Sequence, residues 1–152
     1  MLDKFKKLFT EGVDIFQEEV KKIKNKDFLE AVMAGCALVS AADGTVSADE
    51  KQKMIGFIKQ NDALKVYNID DAIKIFRSYT DKFEFDFGIG KGEALQAIAK
   101  LKKHPDQARL MIRVCCVIGA ADGNFDDAEK KVVVDICNEV GVSKDDFGLS
   151  EK

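Results

Sequence analysis

The chain repeats one stretch of its sequence at an offset of 79 residues, and this repeat limits the folds it can adopt. The stretch AADGTVSADEK at 41–51 matches AADGNFDDAEK at 120–130, and the same offset pairs Cys36 with Cys115. An apolar segment precedes each copy and an amphipathic segment follows it. One repetition is too few for a solenoid, which needs at least about three stacked units. The pattern therefore predicts two helical hairpins, about 28–61 and 107–140, packed around a pseudo-two-fold axis.

The apolar residues follow a helical period along most of the chain. The segment 83–87, FEFDF, alternates, but it is short and isolated, and a lone strand would have no partner. We therefore predict a frayed helix end or loop there. The fold class is predicted as all-α, with about seven helices built from two pseudo-symmetric helical hairpins. The expected organisation is a flexible lead-in over 1–10 and a single helical domain over 11–152. The predicted helices cover 11–24, 28–42, 47–61, 69–84, 93–102, 105–121 and 127–140.

Composition excludes several classes of protein. Of the 152 residues, 46% are hydrophobic and 34% charged, which argues against both a disordered chain and a membrane-embedded one. The net charge of −3 disfavours nucleic-acid binding, which needs a basic face. Four cysteines lack CxxC spacing and lie in apolar runs, which predicts buried, reduced thiols in a cytoplasmic protein. We see no secretory signal in the sequence.

The repeated turn can be explained by helix geometry alone. Gly44 and Gly123 suit the left-handed conformation that often ends a helix. Ser47-x-x-Glu50 and Asp126-x-x-Glu129 have the spacing of capping boxes, in which each side chain bonds the other residue's backbone N–H. These features would occur in a helical hairpin that binds no ligand.

The same turns can also be interpreted as a divalent-cation site. The Asp-Gly and the later Glu match the second half of an EF-hand loop, but the first half would place Val39 and Ala41 at ligand positions. A complete EF-hand is therefore excluded. Ca²⁺ takes six to eight oxygens, more than one turn supplies, so two turns would have to share an ion. No His or Cys lies in either turn, which disfavours Zn or Cu. The candidate metal ligands are Asp43, Glu50, Asp122 and Glu129, with Asp49, Asp126 and Asp127 as further candidates.

The duplicated motif, Ala-Ala-Asp-Gly-x-[Val/Phe]-[Ser/Asp]-x-x-Glu on an all-helical chain of this length, resembles the TerB family of tellurite-resistance proteins. The resemblance covers essentially the whole chain. It implies a bacterial cytoplasmic protein with an acidic, metal-binding surface. It also implies association with other tellurium-resistance proteins and with the inner membrane. The acidic positions of the family carry over onto Asp43, Glu50, Asp122 and Glu129.

Other features support weaker hypotheses. The segment 4–26 is amphipathic, so it is either an interfacial membrane anchor or a lead-in followed by a core helix. The run GIGKGE at 88–93 lacks the spacing of a phosphate loop, and we predict a flexible connection between helices. His104 precedes Pro105 and is expected at the surface without a catalytic role. Cys115 and Cys116 could meet a tellurium species, but the apolar run around them indicates core positions.

Together these observations predict a non-enzymatic adaptor in tellurium resistance that responds to a divalent cation, Ca²⁺ or Mg²⁺. No catalytic or cofactor-binding residues are predicted. Tellurite is a dianion, so carboxylates cannot be its direct receptor. The expected partners are other tellurium-resistance proteins and a membrane component, but no nucleic acid. The alternative is a metal-free helical interaction module whose acidic patch binds a basic partner surface.

Overall fold

A computed structural model describes residues 25–44, 46–120 and 125–149. These residues form six α-helices and contain no strand, which confirms the all-α prediction. The predicted helix 11–24 and the lead-in 1–10 lie outside the described residues. The helices are α1 (Lys26–Ser40), α2 (Ala48–Gln60), α3 (Ile69–Phe85), α4 (Phe87–Ala99), α5 (Pro105–Gly119) and α6 (Asp127–Val140). Three short 3₁₀ helices follow α2, α4 and α6, at Asp62–Val66, Lys100–Lys103 and Lys144–Phe147.

Helix α1 lies at the centre of the molecule. Its residues from Phe28 to Val39 are buried, apart from the half-buried Glu30, and it contacts each of the other five helices. A helix that is apolar on all sides can only be stable in such a position. The side chain of Asn25 begins α1 by accepting a hydrogen bond from the N–H of Phe28 at 2.8 Å. In the described part of the chain, no helix has the length and apolar character needed to cross a membrane.

The helix boundaries follow the sequence offset. Helix α5 begins and ends 79 residues after α1, and α6 begins 79 residues after α2. Helices α1 and α5, the first helix of each repeat, approach closely at Gly35. A Cβ on Gly35 would lie 2.6 Å from Sγ of Cys115. A side chain at residue 35 would therefore require Cys115 or the two helices to shift.

The junction of α3 and α4 corrects the prediction made for the glycine-rich run. Residues 88–93 belong to α4 and are not a flexible connection. Asp86 separates the two helices, and its side chain starts α4 by accepting a hydrogen bond from the N–H of Ile89 at 3.1 Å. A Cβ at Gly90 would lie 2.6 Å from the ring of Phe83, so glycine permits α4 to cross α3 there. Packing thus overrides the low helix propensity of glycine.

One end of the molecule gathers the starts of α1 and α5. Residues 25–27 line a polar pocket together with Lys100, His104 and Gln107. Lys100 also lies 3.9 Å from the carboxylate of Asp27. His104 is exposed immediately before α5, as expected for a surface position. Helices α1 and α5 therefore start together, and α4 ends beside them.

Candidate functional site

The first acidic turn follows directly from the end of α1. The N–H of Ala41 donates to the carbonyls of Ala37 and Leu38, both at 3.1 Å, which ends the helix. The N–H of Gly44 donates to the carbonyl of Ala41 at 2.8 Å, and Gly44 has a φ of 101°. That φ favours glycine, as predicted, but α1 already ends at Ser40 with Ala41 as its cap, so Gly44 turns the chain after the helix and does not end it. The turn leaves Asp43 exposed at the surface.

Both predicted capping boxes are present. At the start of α2, the N–H of Glu50 donates to Oγ of Ser47 at 3.1 Å, and the N–H of Ser47 donates to Oε1 of Glu50 at 3.3 Å. At the start of α6, the N–H of Glu129 donates to Oδ1 of Asp126 at 2.9 Å, and the N–H of Asp126 donates to Oε1 of Glu129 at 2.8 Å. Both glutamates therefore serve as helix caps, and the second box is the tighter one.

The two turns begin side by side. A Cβ on Gly119, the last residue of α5, would lie 3.0 Å from Cγ1 of Val39 and 3.0 Å from the ring of Phe125. Val39 is the penultimate residue of α1, just before the first turn, and Phe125 follows the second turn. The ends of α1 and α5 are therefore in contact. Asp122 and Gly123 lie outside the described residues, so the distance between the carboxylates of Asp43 and Asp122 stays a prediction.

A groove of about 400 Å³ lies beside the first turn. The end of α1 with its turn, α4 and α6 form its walls. Its charged residues are Asp43, Lys91, Lys131 and Asp135. Asp135 accepts a hydrogen bond from Nζ of Lys131 at 3.5 Å and forms an ion pair with Nζ of Lys91 at 3.8 Å. The remaining lining residues are small or apolar: Leu38, Ala41, Ala42, Gly44, Phe87, Leu95, Ala128 and Val132.

The predicted metal ligands that the structure describes lie at or near the surface, in the first turn and at the starts of α2 and α6. Glu129 is half-buried, while the other described candidates are exposed: Asp43, Asp49, Glu50, Asp126 and Asp127. Among the described residues, no three His, Cys, Asp or Glu side chains are grouped as a metal would need. The carboxylates have the right chemistry for Ca²⁺ or Mg²⁺, which prefer oxygen ligands. A shared site would therefore depend on the second turn, where Asp122 lies outside the described residues.

The four cysteines belong to the core, and none of them lines the groove. All are buried free thiols, as predicted. The S–H of Cys115 donates to the carbonyl of Val32 at 3.4 Å, between α5 and α1. Burial raises the pKa of Cys116, so its reactive thiolate form is suppressed at neutral pH. These contacts support the core interpretation of Cys115 and Cys116.

Sequence reasoning missed the groove and its lysines. Phe87, Lys91 and Leu95 recur every four residues on α4, which places them on one face of the helix. The prediction that α4 begins at residue 93 hid this spacing. Asp135 and Lys131 have the corresponding i, i+4 spacing on α6, but the sequence does not show that these two helices meet.

Comparison with known proteins gives a consistent result. The family model described as tellurite resistance protein TerB matches residues 29–151. A tellurium resistance protein TerB from Alcaligenes sp. is 40% identical over 112 residues, which cover 74% of this chain and 92% of that protein. No solved structure matches the chain. Because the family model matches most of the residues and the relative is similar over nearly its whole length, the chain belongs to the TerB family.

Proposed function

We propose that this protein is a non-enzymatic adaptor in tellurium resistance whose paired acidic turns bind a divalent cation, Ca²⁺ or Mg²⁺. Membership of the TerB family supports the role in tellurium resistance. The cation, the adaptor role and the partners are the proposal. The expected partners are other tellurium-resistance proteins, and the expected place of action is the cytoplasm at the inner membrane.

The contact between the ends of α1 and α5 carries this proposal. Gly119 packs against Val39, and an acidic turn follows each of these helices. Carboxylates gathered in one place repel each other, and a bound cation relieves that repulsion. Two neighbouring turns can also supply the number of oxygens that one turn lacks. Asp43 and Asp122 are the proposed central ligands, with Glu50 and Glu129 beside them.

A bound cation would act by fixing the position of the helices that follow the turns. Asp43 and Ala128 line the same groove, so the first turn and the start of α6 both border it. Holding the two turns together would set the separation of these two elements and hence the shape offered to a partner. Tellurite itself is a dianion, so it would not bind among these carboxylates.

Backbone amide shifts test the proposal directly. Ca²⁺ or Mg²⁺ is added to chelator-treated protein, and the amides of Gly44, of 47–50 and of 126–129 are compared with those of 100–104 at the opposite end. Saturable shifts confined to the turns are expected. Shifts only at the opposite end, or none at all, would exclude the cation site.

The alternative is a metal-free interaction module, and the capping boxes favour it. Both boxes are complete with protein groups alone. In that case the acidic surface would bind a basic partner equally well in chelator and in Ca²⁺. Equal partner affinity in the two conditions, together with unshifted turn amides, would support this alternative.

A further inference from the structure

The groove beside the first turn is left open by the described helices, and most of its lining is small or apolar. Phe87, Leu95 and Val132 line the groove, pack against the core and are only half-buried. A stripe of this kind, on two adjacent helices, matches the surface that an amphipathic helix covers.

The charges around the groove favour an occupant that carries lysines. Lys91 and Lys131 both lie against Asp135, which offsets part of their charge. Asp43 lies on the groove wall, and Asp126 and Asp127 come just before Ala128, which also lines the groove. Lysines of an occupant would therefore find carboxylates where the groove adjoins the first turn and the start of α6.

The sequence of this chain contains a segment with the matching character. Residues 1–9 read MLDKFKKLF. In a helix, Leu2, Phe5 and Phe9 would share one face because they are spaced by three and four residues. Lys4, Lys6 and Lys7 would lie beside or opposite that face. The segment thus combines an apolar stripe with a cluster of lysines.

The chain length between this segment and α1 fits the distance to be covered. Asn25 lies beside Lys100, where α4 ends, and the groove lies along the first turns of α4 near Phe87. Helix α4 has 13 residues, which span about 20 Å, and a helix over 11–24 would span about 21 Å. A helix over 11–24 running back along α4 would therefore bring residues 1–9 to the groove.

We propose that residues 1–9 of this chain bind in the groove between α1, α4 and α6, with Phe5 and Phe9 against Phe87, Leu95 and Val132 and with the lysines towards the acidic turns. This interaction does not require a cation, so it goes beyond the proposed function.

A spin label on the segment tests the proposal in the full-length chain. Lys6→Cys provides a single reactive thiol, because the four native cysteines are buried. The experiment is carried out in chelator with a nitroxide on residue 6. Paramagnetic broadening is expected for amides of 87–95 and 128–135, while amides of 102–104 stay sharp.

Matched variants show whether the contact is specific. Leu95→Asp should abolish the broadening, whereas Ile89→Asp should not, because Ile89 is 55% exposed and lies on another side of α4. Phe5→Asp with Phe9→Asp should also abolish it, and this variant leaves the described core unchanged.

Three results with the labelled chain alone would overturn the proposal. These are no broadening, broadening centred on 100–104, and broadening that persists in Phe5→Asp with Phe9→Asp. Labelled chains mixed with separate ¹⁵N-labelled chains test for exchange between molecules, and groove broadening in that mixture would assign the occupant to a second copy instead. Because all these measurements are made in chelator, their failure would leave the cation proposal intact.

Discussion

Glu50→Gln combined with Glu129→Gln separates helix capping from cation binding. In each capping box, one glutamate oxygen accepts the N–H of the N-cap residue, at 3.3 Å for Glu50 and 2.8 Å for Glu129. Glutamine retains an oxygen that can accept the same bond. Loss of a whole N-cap costs about 0.5–2 kcal/mol, so keeping the acceptor should limit the total cost to about 1 kcal/mol. For a chain of this size, that is a decrease in Tm of about 2–4 °C.

The effect on cation binding should be much larger. A ligand present at 100 times its Kd stabilises the folded state by about 2.7 kcal/mol, or roughly 5–11 °C in Tm. Without the two charges, the double variant should lose most of this gain. Thermal unfolding followed by circular dichroism, in chelator and in a Ca²⁺ or Mg²⁺ series, measures both quantities.

A control of equal charge change is available at the start of α3. Asp70 and Asp71 lie in the first turn of that helix, and Asn68 caps it by accepting from both of their N–H groups. Asp70→Asn with Asp71→Asn should preserve the stabilisation by cation. If the glutamine variant also preserves it, the ligands lie elsewhere. If that variant unfolds in chelator, the glutamates are structural, and the separation of roles argued above is wrong.

Three further predictions concern the core. Gly35→Ala should be less stable than Gly56→Ala by about 1–3 kcal/mol in urea unfolding, because a Cβ at residue 35 would lie 2.6 Å from Cys115 whereas none would meet an atom within 4 Å at residue 56. Equal stabilisation by both alanines, about 1 kcal/mol from helix propensity, would show that α1 and α5 are further apart than described. Burial raises the pKa of Tyr67 to about 12, and burial followed by its bond to Glu30 raises that of Tyr79 still further. Because both pKa values are raised on folding, the two neutral tyrosines contribute to stability in full below about pH 10, and this contribution is lost as pH rises towards 12. Unfolding midpoints measured from about pH 8 to 11.5 should therefore decrease above about pH 10. A thiol reagent at pH 8 should react with none of the four buried cysteines in the native protein and with all four in denaturant; fast native labelling would contradict their burial.

The sequence predicted the helices well where local signals agreed with packing. The apolar run of α1 and the boxes at Ser47 and Asp126 define helix positions through local hydrogen bonds and periodicity. The start of α4 could not be predicted, because glycines at 88, 90 and 92 lower its local helix propensity. Helix formation there depends on the close approach to Phe83, a contact with the preceding helix that composition does not show.

The candidate site was predictable only in part. The repeat and the acidic motif identify the two turns. In the structure, the contact of Gly119 with Val39 brings the beginnings of these turns together. The groove depends on α4 meeting α6, two helices whose facing residues are about 40 positions apart in sequence, as in the pair Lys91 and Asp135. No local sequence pattern specifies such a pairing of helices. Lys91 could therefore not be predicted as a groove residue.

Cation binding and docking of residues 1–9 should oppose each other, because both depend on the carboxylates of the turns. A cation bound there would offset the negative charge that attracts Lys4, Lys6 and Lys7. Exposed ion pairs contribute about 0.2–1 kcal/mol each, so the loss of two such pairs would weaken docking by about 1 kcal/mol, or about fivefold. Adding Ca²⁺ to the nitroxide-labelled chain should therefore reduce the broadening over 87–95 in parallel with the shift of the Gly44 amide. In Glu50→Gln with Glu129→Gln, Ca²⁺ should leave the broadening unchanged. If instead Ca²⁺ shifts Gly44 in the original chain without altering the broadening, the lysines do not meet the turns, and docking rests on the apolar stripe alone.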